Sequence, residues 1–92
     1  MVTEERRVIW KCALKLGWNH VLMPGFVRAR GVGFQGEQLY VWCLVNEGAL
    51  EEYWAFFVAL TGEILPSNQL GFSAGMAQSA NGIVAHVFEG RE

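Results

Sequence analysis

An all-β fold, a small antiparallel sandwich or partly open barrel with at most one helical turn, is what this sequence predicts, on three observations. Two uncharged, aromatic-rich runs, Leu39 to Val45 (LYVWCLV) and Tyr53 to Leu60 (YWAFFVAL), have the length and the β-branched and aromatic content of strands buried on both faces. No segment sustains the 3.6-residue periodicity required by a helix of about ten residues or more. Short alternating segments recur between turn residues, as they do in layered or barrel-like antiparallel sheets.

The elements follow in order. Arg7 to Leu16 alternates, with Val8, Trp10, Cys12, Leu14 and Leu16 on one face and Arg7, Lys11 and Lys15 on the other. That is a half-buried strand with a basic outer face. Gly17 to His20 reads as a turn, and Val21 to Met23 as a short strand ended by Pro24-Gly25. From Phe26 to Gln35 strict alternation puts Val27, Ala29, Gly31 and Gly33 on one face and Phe26, Arg28, Arg30, Val32 and Phe34 on the other, and glycines inside such a strand mark a bulge or sharp bend.

Gly36-Glu37 has the composition of a tight hairpin turn, which makes the flanking strands antiparallel neighbours. Asn46 to Glu52 is polar, with room for one helical turn, and pairing of the two aromatic-rich runs across it predicts the sheet centre. Thr61-Gly62-Glu63 closes the second run, Ile64 to Pro66 is a short extended piece, and Ser67 to Gln69 is loop. Gly71 to Gly82, rich in small residues, reads as a mobile loop with a weak strand at its start. Ile83 to Phe88 is the last strand, with Ile83, Ala85 and Val87 opposed to Val84, His86 and Phe88.

Residues 1–92 fit a single domain near the small end of independent folders. A hydrophobic fraction of 52% with 17% charged residues excludes a disordered chain, and no run reaches the roughly 18 apolar residues of a membrane span. The amino terminus lacks the apolar core of a secretory signal, which predicts a cytoplasmic location. Cys12 and Cys43 lie in strand-like runs and read as buried free thiols. The net charge of −2 conceals an asymmetry, since residues 1–30 sum to +4 and the remainder to −6. The apolar supply exceeds what one small core uses, which predicts a homo-oligomer joined through a sheet face or edge.

Little in the chain spells out a reaction. Cys12, Cys43, His20 and His86 are dispersed, without the paired spacing of a metal site, so neither a metal nor another cofactor is expected. A catalytic assembly would need Cys43 or Cys12 beside His86 and a glutamate, which no spacing selects; the reading is non-enzymatic, with His86 a packed histidine. Gly31-Val32-Gly33-Phe34-Gln35-Gly36 matches a glycine-rich phosphate pattern in letters only, because it runs into a strand instead of opening a helix.

A pI of about 5.6 argues against general nucleic-acid binding. A compact anionic ligand, such as a nucleotide signal, needs only one or two arginines and an aromatic to stack on. Arg28 and Arg30, with Lys11 and Lys15 on another strand, are the candidate cations, and Trp18, in the Gly17 to His20 turn, is the candidate exposed interface anchor. Trp10, Trp42 and Trp54 read as core.

Ile9-Trp10-Lys11, Met23-Pro24, Phe34-Gln35 followed by Leu39, Trp42 to Val45, Thr61-Gly62-Glu63 and the closing His86-Val87-Phe88-Glu89 resemble, in order and spacing, a small uncharacterised protein family encoded mostly by bacteriophages. The family often carries Gly-Thr-Gly-His where this chain has Leu60-Thr61-Gly62-Glu63, so that histidine is absent here or replaced by Glu63. The Gly71 to Gly82 loop is also longer and poorer in glycine than the family's. The resemblance implies a phage origin, an all-β fold and the host bacterial cytoplasm. It suggests a binding protein that counters host immunity by occupying a bacterial defence protein, as an anti-CRISPR inhibitor does. The alternatives are an oligomeric sponge for a cyclic-nucleotide-type immune signal, and a virion or scaffold component.

Overall fold

The computed structural model describes residues 5–66 and 69–90, and they form seven strands and no helix. The strands are β1 (Arg7–Leu14), β2 (Gly17–Pro24), β3 (Phe26–Gln35), β4 (Gln38–Asn46), β5 (Glu51–Leu60), β6 (Leu70–Gln78) and β7 (Val84–Gly90). They make two antiparallel sheets, a three-stranded sheet A in the order β1-β4-β3 and a four-stranded sheet B in the order β2-β5-β7-β6. The two pack face to face as a sandwich, not as a closed barrel.

Period-two alternation creates the core. On β4 Leu39, Val41, Cys43 and Val45 point inward and are buried, while Tyr40, Trp42 and Leu44 point outward and are half-buried. Val8, Trp10, Cys12 and Leu14 extend that inner face on β1; from sheet B, Met23, Phe56, Val58, Ala85 and Val87 meet it. Phe26 bridges the layers, its ring 5.1 Å from Trp54 and 5.8 Å from Phe56 between centroids. Phe56, 1% exposed, is the largest fully buried side chain.

The two aromatic-rich runs do not pair with each other. β4 is the centre of sheet A, whereas β5 lies in sheet B between β2 and β7. Each run thus has a neighbour on both edges and the opposite sheet on one face. The hairpin at Gly36-Glu37 does form, with Gln35 opposite Gln38.

Crossovers between the sheets are fixed by side chains with short reach. Across the β1–β2 turn the buried Asn19 of β2 accepts from the Lys15 N–H at 2.9 Å and donates to the Lys15 and Gly17 carbonyls at 2.8 and 3.1 Å. At the opposite end Asn46 gathers three segments: its Oδ1 accepts from the Arg6 and Gly48 N–H groups, each at 3.0 Å, and its own N–H donates to the Gly25 carbonyl at 2.9 Å. Gly25 passes the chain from sheet B to sheet A at φ +47°, with Asn46 and Ala49 where a Cβ would stand, so both conformation and space require glycine.

Several expectations are corrected. The residues read as a turn, Gly17 to His20, are the first half of strand β2. The first strand ends at Leu14, leaving Leu16 57% exposed. Gly71 to Gly82 is mostly strand β6, because its small residues let the backbone run close to β7 and β3, with Gly75 beside the Val32 side chain. On β3 the ladder skips Val27 and Arg30, two bulges that break strict alternation. Phe26, Ala29, Val32 and Phe34 therefore all pack on the core, leaving Arg28, Gly31 and Gly33 for the outside. Asn46 to Leu50 forms turns without a helix, Ile64 to Pro66 has no regular structure, and the expected loop at Ser67 lies partly outside the described residues.

Candidate binding surface on sheet A

The outer face of sheet A is assembled from three strands in register. Lys11 of β1 stands opposite Trp42 of β4, and Trp42 stands opposite Gly31 of β3; one pair along, Ile9, Leu44 and Arg28 form the next row. The rows place Lys11 and Arg28 on opposite flanks of Trp42 and Leu44, with backbones about 12 Å apart from two strand spacings and a two-residue offset. The Lys11 ammonium lies 4.6 Å from the Tyr40 ring centroid and donates to Gln35 Oε1 at 2.9 Å. The Tyr40 and Trp42 rings follow one another at 6.1 Å. Trp42 reaches over Gly33, where an added Cβ would come within 3.3 Å of the indole, so its ring lies down across β3.

Electrostatically the face is cationic. Arg7, on its margin, is held by Glu5 at 2.8 Å, an exposed pair that contributes little to stability. Among the described residues that is the one ion pair, so Lys11, Arg28 and the exposed Arg30 carry charges with no carboxylate bonded to them. Uncompensated cations beside half-buried aromatic rings can take an anion through charge-assisted hydrogen bonds and a planar group by stacking.

The five sequence-predicted residues do not form one site. Lys11 and Arg28 share the outer face of sheet A, with Arg30 at a neighbouring bulge. Lys15 is elsewhere, in the β1–β2 turn at the rim of a cleft of about 330 Å³ between Leu14, Phe34, Val58 and Ile83. Trp18 belongs to sheet B, where its ring meets Phe57 edge-on at 5.1 Å and covers Gly90; it is half-buried, not an exposed loop anchor. Trp42, read as core, is instead the centre of the candidate surface. The alternation Leu39-Val41-Cys43-Val45 against Tyr40-Trp42-Leu44 carried that signal, hidden by the absence of any polar residue on either face.

The groups weighed for catalysis stay apart. Cys12 and Cys43 are buried free thiols on the inner face, diagonal across β1 and β4, whereas His86 is on the outer face of sheet B with Nε2 2.7 Å from Thr61 Oγ1. The hydrogen bond between the thiols draws Cys12 down to about 7 against the opposing effect of its burial, whereas for Cys43 the same bond and burial both push upward, well above the ordinary thiol value. Neither is open to a substrate. Glu63 accepts from the Leu60 N–H at 2.6 Å and closes its own turn. Among the described residues no three His, Cys, Asp or Glu side chains cluster as a metal site, and no helix is long and apolar enough to cross a membrane.

An all-β sandwich with a cationic, aromatic sheet face is the class that fold and surface define. Residues 5–92 match the model of a domain of unknown function, DUF7352, and the chain belongs to that family. No curated protein and no solved structure matches it.

Proposed function

We propose that this chain is a non-enzymatic binding protein that acts by occupancy, with the outer face of sheet A as its working surface and an anionic partner as its target. The observation that carries the reading is the pair of unpaired cations, Lys11 and Arg28, set on either side of Trp42. Within the anti-defence role that the phage resemblance implies, the partner is a bacterial defence component with an acidic surface. A second reading, the nucleotide sponge, is favoured by Trp42 lying flat beside the unoccupied Gly31 position, which offers a ring and a bare backbone shelf to one base. Both readings place a phosphate or carboxylate between Lys11 and Arg28.

Calorimetric titration with linear and cyclic nucleotides and an acidic polypeptide, at two salt concentrations, tests the proposal. Binding is expected to weaken with salt and to disappear in the K11E/R28E double variant, which changes two exposed residues and leaves the core intact. Trp42→Ala should cost about 1–3 kcal/mol for a base-containing ligand and much less for the polypeptide, separating the readings. Undiminished heat with K11E/R28E, or no heat from any anion, overturns the assignment.

A further inference from the structure

The outer face of sheet B has a different chemistry. Trp18 and Leu22 of β2, Tyr53 and Phe57 of β5, Phe88 of β7 and Met76 of β6 share it by register. Tyr53 is 70%, Met76 61% and Leu22 42% exposed, so the apolar surface is open, not folded back on itself. Of the acidic and basic side chains other than histidine, only Glu51 is in register with this face, at the end of β5 on the rim; the imidazoles of His20, opposite Ala55, and of His86, opposite Ala59 and Met76, also lie on it. A sheet side with this composition resembles half of a domain core.

We propose that a second copy of this chain covers the face, two sheets B packing face to face about a two-fold axis. A two-fold interface must be complementary to itself, each patch meeting its own copy. A mainly apolar face with no carboxylate, lysine or arginine in its interior satisfies that condition without setting fixed charges against their like. The outer face of sheet A does not, because self-pairing would set Lys11 and Arg28 against their like. The size also fits: four strands at about 4.8 Å and some eight residues at about 3.4 Å span roughly 500 Å² in plan. Doubled, this reaches the total of about 1,000 Å² that a specific interface requires. The arrangement turns the two cationic faces outward on opposite sides of a four-layer stack, about 30 Å apart at about 10 Å per layer.

Light scattering on a size-exclusion column, with circular dichroism as the folding check, tests the proposal. The wild-type chain is expected at twice its 10.3 kDa at micromolar concentration. The Y53E/M76E double variant, changing two exposed positions, should run at the single-chain mass with an unchanged spectrum, while Leu50→Glu, 87% exposed in the turn before β5, stays dimeric. Tyr53→Ser, which removes apolar surface and adds no charge, should weaken the dimer at least about tenfold should the double variant fail to fold. A single-chain mass for the wild type, or a folded Y53E/M76E protein that remains dimeric, overturns the proposal. The readout is mass, so its failure leaves the sheet A assignment standing.

Discussion

Glu89, near the end of β7, lies opposite the fully buried Phe56, and its burial raises the carboxyl above the usual carboxylate value. Because the folded-state value exceeds the unfolded one, the folded chain holds the proton more tightly between the two, and stability falls as pH rises through that window. At neutral pH the charged carboxylate therefore stands as a net cost. Glu89→Gln is predicted to raise the melting temperature at pH 7, with the gain shrinking as both proteins are acidified toward the unfolded carboxylate value. A gain independent of pH would mean that the charge is not its cause. At this scale the sequence was partly legible: buried free thiols and a packed His86 with a bonded ring nitrogen follow from residue type and alternation. The roles of Trp18 and Trp42 did not follow, because tryptophan suits a core, a sheet face and a loop anchor equally, and only register distinguishes them.

Strands are read well where one face is polar and poorly where neither is. β1 was legible because charged residues alternate with buried ones, and β7 because a short apolar run follows the turn residues Asn81-Gly82. β6 was hidden by its small side chains, whose strand character comes from close backbone approach and not from intrinsic preference. The bulges at Val27 and Arg30 were signalled by the glycines of β3, but their effect on facing was not, since each bulge reverses the parity of everything beyond it. The pairing of the two aromatic-rich runs failed for a related reason: a short polar connection suits a hairpin or a crossover, and its composition does not show that Asn46, whose carbonyl accepts from the Ala49 N–H within the turn, also ties the connection to Arg6 and Gly25. Asn46→Ala removes the side-chain acceptor for two backbone N–H groups and should destabilise the fold by about 1–3 kcal/mol, read from urea unfolding. A loss below about 0.5 kcal/mol would deny Asn46 its place as the clasp of the crossover.

Over the whole molecule, the charge asymmetry of the sequence becomes an asymmetry between sheets. The cations of residues 7–30 fall chiefly on β1 and β3, the two edge strands of sheet A, while β4 between them supplies the aromatic rings. Charges on those edges also disfavour strand-to-strand aggregation, leaving face packing as the route to self-association. Under the two proposals the outer faces divide the work, sheet B toward a second copy and sheet A toward an anionic partner. Backbone amide spectra recorded while a nucleotide or acidic polypeptide is titrated into the wild-type protein test that division most directly. The account predicts shifts concentrated at Lys11, Arg28, Gly31 and Tyr40, with the Trp42 indole moving furthest; shifts confined to the outer face of sheet B, or to the cleft beside Lys15, would contradict it.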